Sequence, residues 1–492
     1  MTTISGPVAG PGPLDIAAIP DQRAAPARSG VEAHGVGRIP EADRTAGPRD
    51  VVTILLGSNL AFSVVVFGWL PVAFGLGFWA SLSAVAVGTV IGTVMVAPLA
   101  LLGHRTATNN SVSSGASFGV LGRMVGSFVG LLLCLGYTAL TVWTGGEALV
   151  SAVGRATGVP LGDGAYAVGY GLLAVLVTLA ATYGFHLLVK LNTWIVPVVG
   201  ASLALGLLAY AGSFHSAAQP GPQSYLLGSF WPTWVLALVA SGIAGPLSYV
   251  TLLGDWTRYV SDAWHPRRVL RACATGLMLG LLVPTAFGVF SAVATEGTGA
   301  RSYVAGLVAA APAWYLPLLV VSAVAGSVGQ AGINLYSMGL DLDAILPRLT
   351  RVQSTAVVAL VSTLLVFLGQ FVWDAESAVT TFVLILTSLA VPWATITLIG
   401  FFRARGRIDA DALQVFNAGR RGGRYWYHRG WNINATTAWV IGSVAGVLAN
   451  STDTFTGPLA AWVGGVDLSV ATSALAAAGC YLVLERFRPS AR

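Results

Sequence analysis

Apolar runs dominate the chain from about residue 51 to 484, with polar residues gathered in short intervals between them. Runs of bilayer-crossing length fall near 51–73, 79–102, 121–153, 166–186, 191–212, 231–259, 269–294, 305–339, 353–372, 378–402, 433–449 and 468–484. A spanning helix needs about 20 apolar residues, so the pattern predicts twelve transmembrane helices. Barrel strands would alternate apolar and polar residues, and these runs do not. A further apolar stretch, 455–466, is either re-entrant or part of a spanning helix.

The expected organisation follows from the runs. Residues 1–50, rich in Pro, Gly, Ala and Arg and without an apolar signal region, read as a disordered cytoplasmic tail. A ten-helix core spans 51–402, a polar loop 403–432, two additional helices 433–484, and a short cytoplasmic tail 485–492. Composition agrees: 55% of residues are hydrophobic and 9% charged, against roughly 25% charged in soluble domains. The net charge of +6 reports topology, not nucleic acid, because the basic residues cluster at the ends of apolar runs. With the amino terminus inside, Arg105, Arg123, Lys190, Arg258, Arg267, Arg268, Arg271, Arg348, Arg351 and the arginines of 403–429 all fall inside; only Arg155 and Arg301 fall outside. The chain is therefore expected in the cell membrane, multi-pass, with both termini cytoplasmic, and as a monomer. Cys134, Cys273 and Cys480 lie far apart and form no metal or disulfide pattern.

Breaks within the runs carry the functional signal. The sixth run holds "VASGIAGPLSY" (239–249), where Gly242, Gly245 and Pro246 weaken a helix and Pro246 removes a backbone donor. The first holds "LGSNLAFSV" (56–64), unusually polar for mid-membrane. The fifth and tenth each hold one proline, Pro197 in "TWIVPVVG" and Pro392 in "LAVPWATI". Interruptions paired at one and six, and at five and ten, predict two five-helix repeats of opposite orientation, about 51–212 and 231–402. In transporters built that way, discontinuous helices form the substrate site near the midplane. An ordinary kink is the simpler reading of any one of these positions.

Several stretches carry a resemblance. "GRIPEADRTAGPRDVVTILLGSNLAFS" (37–63) resembles the segment leading into the first helix of the nucleobase:cation symporter-1 family, purine-cytosine permease branch. "SSGASFGVLGRMVGSF" (113–128) is similar to its loop before the third helix, with Gly115 where arginine is usual. "GDWTRYVSD" (254–262) resembles the end of its sixth helix and "GQAGINLYSMGLDLDAI" (329–345) its eighth. The resemblance implies an all-α, LeuT-like fold with a five-plus-five inverted repeat and two extra helices. It also implies secondary active import of a nucleobase or related neutral heterocycle such as cytosine, a purine, allantoin or hydantoin, driven by H+ or Na+ and without a cofactor. Substrate would lie between helices one, three, six and eight.

A neutral heterocycle needs flat faces and a few edge donors and acceptors. Tyr137 and Thr141, one turn apart on the third helix, offer both. Gln330 and Asn334 are likewise one turn apart on the eighth, and two amides on one face in lipid cost free energy unless paired. Unwound backbone near Gly245, Pro246 and Ser248 would add amides and carbonyls, and Phe62 an apolar face. Packed core residues and an interhelical amide pair are the plain alternatives. For cation coupling, Ser58, Asn59 and Ser63 are available on the first helix and Ser327 on the eighth, with Glu147 an intramembrane acid. By the resemblance, Val328 and Gly329 stand where sodium-coupled relatives have hydroxyls, which favours protons or a looser site. Asp255 and Arg258 form either a local ion pair with Trp256 and Tyr259 as interface anchors or an inner gate; Pro197 and Pro392 are the other gating candidates. A LeuT-like carrier of amino acids or osmolytes is the competing function, weakened by the lack of a mid-span Arg or Lys. An enzyme is disfavoured because no histidine pairs with Glu or Cys at ligand spacing and no phosphate-binding glycine loop occurs.

Overall fold

The computed structural model describes residues 35–159, 161–217, 224–295, 302–346, 349, 351–371, 375–452 and 455–490. Among these it is helical, with isolated bridges such as Ala46 with Val260 as the β pairing. Among the described residues, ten helices are long and apolar enough to cross a membrane, and a bent pair, Pro48–Asn59 with Phe62–Ala73, makes an eleventh if counted as one span. We number the bent pair span 1. Spans 2 to 5 are Phe78–Thr106, Met124–Thr157, Asp163–Tyr183 and His186–Ser213. Span 6 begins at Phe230–Leu247; spans 7 to 9 are Pro266–Ala294, Leu316–Ile345 and Val352–Gln370. Span 10 is Thr380–Arg403 and span 12 is Ser469–Phe487, while Ile433–Leu448, at the eleventh expected position, is a shorter apolar helix.

The break in span 1 has a local cause. Ser58 Oγ and Asn59 Nδ2 both donate to the Leu55 carbonyl, at 3.2 and 2.7 Å. Side chains that bond their own backbone compete with the helical ladder. The chain leaves the helix at Leu60, Ala61 is extended (φ −138°, ψ 155°), and the two halves meet at 60°. Gly326 of span 8 permits the close approach at this corner: a Cβ there would stand 2.2 Å from the Leu60 carbonyl oxygen.

Span 6 is interrupted differently from the expectation. Gly245 and Pro246 stay in a helical turn, Ala244–Leu247. Pro246 cannot donate to the carbonyl of Gly242, and the disturbance lies on either side: Leu238–Ile243 is π-helical, residues 248–252 form turns, and Leu253–Thr257 is a last short helix. Gly242 serves packing, since a Cβ there would lie 2.6 Å from the Gly88 Cα of span 2. Spans 3 and 8, the longest at 34 and 30 residues, pack along each other and form the wall facing both interrupted helices.

Two other sequence expectations change, and two stretches whose form was open become defined. Residues 35–50, assigned to a free tail, pack on the bundle because Ile39 and Arg44 are buried there; residues 1–34 lie outside the described residues. Loop 403–432 is folded onto the 113–128 segment, with Val120 N donating to Tyr425 O and Asn432 N to Phe118 O. Run 305–339 is two helices, Tyr303–Ala310 and Leu316–Ile345, separated at Pro312. Stretch 455–466 contains one short helix, Pro458–Trp462. Beyond it the Asp467 carboxyl accepts from Ser451 N, Ser469 N and Ser469 Oγ; burial raises that acid above the usual carboxylate range.

Candidate substrate and cation site

The sequence-predicted residues gather in two hydrogen-bonded groups around the span 1 break. In the first, Gln330 Oε1 accepts from Ser63 Oγ and from Thr141 Oγ1 at 3.0 Å, so spans 1, 3 and 8 meet on one amide oxygen. The Tyr137 carbonyl, 2.6 Å away, competes with Gln330 for the one hydrogen of the Thr141 hydroxyl, which also approaches Ser63 Oγ at 3.2 Å. The Ser327 hydroxyl donates to the Thr141 carbonyl at 3.2 Å. Asn334, one turn from Gln330, is buried, and its Nδ2 has no hydrogen-bond partner. Tyr137 reaches across to span 6, its hydroxyl 3.4 Å from the Ala244 carbonyl, and its ring lies 5.8 Å from Phe67.

The second group joins spans 1 and 6. Tyr249 Oη donates to Asn59 Oδ1 at 2.8 Å and lies 3.2 Å from Ser58 Oγ. Tyr249 packs edgewise on Trp256 at 5.7 Å. On span 5, Asn192 is buried with Oδ1 unpartnered, turned toward Gly57 and Gly329 at the corner of the break. All these groups are neutral. Together they offer hydroxyl and amide donors and acceptors beside aromatic faces, which is the chemistry for an uncharged planar ligand with a hydrogen-bonding edge.

Several expected residues lie elsewhere. Gly245 faces Leu281 of span 7, the Pro246 ring lies against Gly92 of span 2, and Ser248 bonds the Gly245 carbonyl at 2.7 Å. What span 6 contributes is the Ala244 carbonyl and Tyr249. Phe62 belongs to an apolar cluster with Leu60, Ala148 and Ile195, apart from Tyr137; Phe67 is the ring beside it. The five cation candidates are not one set. Ser58 and Asn59 bind Tyr249, Ser63 binds Gln330, and Ser327 holds backbone, because the 60° corner turns the two halves of span 1 apart. Glu147 accepts from Ser302 Oγ at 2.6 Å, and Ser302 caps the helix Tyr303–Ala310, so the acid clasps a connecting helix.

Asp255 and Arg258 are buried within the protein, 2% and 0% exposed. Arg258 donates to the Gly35 carbonyl at 2.7 Å and Tyr336 Oη at 3.0 Å, and lies over the Tyr259 ring. Arg44, which sequence reasoning passed over, completes this end: it bonds the carbonyls of His104, Arg258 and Val260 and pairs with Glu41 and Asp262. Pro197 is exposed and Pro392 is packed against Gly442, so the paired prolines occupy unlike surroundings within continuous helices. At Gly115, Leu413 covers the site and buried Arg123 lies alongside, bonded to Asn417 Oδ1.

The sequence profile of permeases for cytosine/purines, uracil, thiamine and allantoin matches residues 38–471. The chain belongs to this permease family. It is thus a membrane transporter and falls outside the enzyme families. A curated relative, YxlA of Bacillus subtilis (strain 168), named as a purine-cytosine permease, is 24% identical over 456 residues, covering 89% of this permease and 92% of the relative. Among solved structures, Mhp1, a nucleobase-cation-symport-1 family transporter in a closed conformation with bromovinylhydantoin bound, matches with a TM-score of 0.70 at 19% identity, covering 92% of this permease and 95% of that chain. Inward-facing Mhp1 matches at 0.68 and 17% identity, covering 94% and 97%. A Na+-coupled sialic acid symporter matches at 0.59 and 13% identity, covering 92% of both chains. The LeuT-like fold expected from the sequence is thereby established, with the family.

Proposed function

We propose that this permease imports a neutral nucleobase-type heterocycle by alternating access, driven by a cation gradient, with both termini on the cytoplasmic side. The observation that carries the reading is the amide pair on span 8: Gln330 committed to Ser63 and Thr141, and one turn away the buried Asn334 with its Nδ2 unpartnered. A buried amide without a partner costs about 1–3 kcal/mol, and a bound base edge would remove that cost. Within the family's range, thiamine is disfavoured because it carries a fixed positive charge and this group is neutral. The same neutrality disfavours an amino acid carboxylate. Spans 5 and 10, with Pro197 and Pro392, would act as gates, and the Arg44–Arg258 assembly as the cytoplasmic closure.

The test is thermal-shift titration of the purified protein with cytosine, hypoxanthine, uracil, allantoin, hydantoin and a panel of amino acids, followed by uptake of the binders in proteoliposomes. A native-state ligand raises apparent stability. Stabilisation by amino acids alone would overturn the reading.

A further inference from the structure

Two turns beyond Asn334 on span 8, about 10 Å along the axis, Asp341 is 3% exposed and enclosed by oxygen atoms. Ser111 Oγ, on the short helix Asn110–Ser113, donates to Asp341 Oδ1 at 2.5 Å. On span 3, Gly130 opens the niche: a Cβ there would lie 2.0 Å from Asp341 Oδ2 and 3.0 Å from Thr251 Oγ1. Thr251, from the turn of span 6, is 2% exposed and its hydroxyl has no hydrogen-bond partner. Ser127 of span 3 also faces the carboxyl. The titratable groups facing it are acids: Asp255 from span 6 and the Cys134 thiol from span 3. Among the described residues, no cation pairs with Asp341.

We propose that Asp341 is the site of the coupling proton, an inference that rests on cation-coupled transport. An ionised carboxylate enclosed in this way, with a second carboxylate beside it, carries a large free-energy cost. One proton from outside bonds to a carboxylate oxygen and leaves a neutral carboxyl, which lets spans 3, 6 and 8 stay closed around it. Its release on the other side restores the carboxylate, which favours the arrangement that admits water. The proton thereby biases one of two packings, as coupling requires. The niche lies two turns along span 8 from Asn334, so substrate and proton would occupy different places along spans 3, 6 and 8.

The experiment has two arms. Infrared spectroscopy of the purified protein at neutral pH should show a protonated carboxyl band that is absent in Asp341→Asn. In Ser111→Ala the band should persist at a shifted frequency, because the carbonyl stretch follows its hydrogen bonding. A spectrum unchanged in a folded, monodisperse Asp341→Asn would overturn the assignment, as would a band unmoved in Ser111→Ala. In proteoliposomes loaded with a pH dye, Asp341→Asn should retain exchange of labelled cytosine, hypoxanthine or allantoin, whichever the wild type moves, and lose uphill accumulation with its proton influx. Proton-driven accumulation surviving in Asp341→Asn would also overturn it. If the wild type moves none of these and neither uracil nor hydantoin, the substrate reading fails, and the infrared arm still decides the proton site.

Discussion

Asn334→Ala separates the cost of a buried amide from its use. Asn334 Nδ2 is buried and makes no hydrogen bond in the free protein. Truncation therefore removes no bond and relieves an unsatisfied donor that costs about 1–3 kcal/mol. It also removes a few packing contacts, a loss of similar size. Thermal stability without ligand should thus stay level or rise. Ligand binding should move the opposite way, since the bond that a base edge makes to this amide is worth about 1–3 kcal/mol, or about 5- to 150-fold in Kd. Gln330→Ala is the contrasting variant. It deprives Ser63 and Thr141 of their shared acceptor and should lower both stability and affinity. The assays are differential scanning fluorimetry without ligand and calorimetric titration with the base that the stability screen selects. If Asn334→Ala destabilises the free protein as much as Gln330→Ala while leaving Kd unchanged, the amide is structural and the proposed pocket is wrong.

Three further outcomes follow from the geometry. Tyr249→Phe removes the hydroxyl that joins Asn59 and Ser58 to span 6; it should cost about 0.5–1.5 kcal/mol of stability and slow uptake, and unchanged stability and rate would show the link to be idle. Arg44→Gln strips a buried guanidinium from three carbonyls; amide hydrogen exchange in 35–46 should rise toward that of an open segment, and unaltered protection would remove the closure assigned to it. Gly242→Ala forces a methyl group to within 2.6 Å of the Gly88 Cα and should cost about 1–3 kcal/mol by overpacking. Gly171→Ala, with open space around it, should be neutral in the same melting assay.

What the sequence made legible divides along physical lines. Span positions were readable because a bilayer demands long apolar runs, and the break in span 1 because Ser58 and Asn59 carry the side-chain acceptors and donors that dismantle a helix from within. Gln330 and Thr141 were readable because helical spacing puts them on faces that spans 3 and 8 must bury. The span 6 break was misplaced for an equally definite reason. A proline disturbs the ladder upstream, at the carbonyl it cannot serve, and the glycines beside it answered to neighbouring helices: Gly242 to Gly88, Gly245 to Leu281. Nothing in one chain segment announces the partner that makes a glycine necessary.

The same limit hid Asp341 and Arg44, and it shows why they belong together. Each is a charged side chain in a stretch that reads as a helix end or a tail, where charge is cheap and draws no notice. Burial changes that only after distant segments close over it: Gly130, Thr251 and Ser111 over Asp341, and His104 and Val260 over Arg44. Three carbonyls and two carboxylates surround the Arg44 guanidinium. Asp341 receives a hydroxyl and faces another acid, and in the proposal above a proton compensates it. One end of the bundle therefore holds a fixed charge that fastens the N-terminal segment and a removable charge among the moving spans. A symporter whose substrate pocket is neutral needs that second kind of charge somewhere to connect a cation gradient to a ligand that carries no charge of its own.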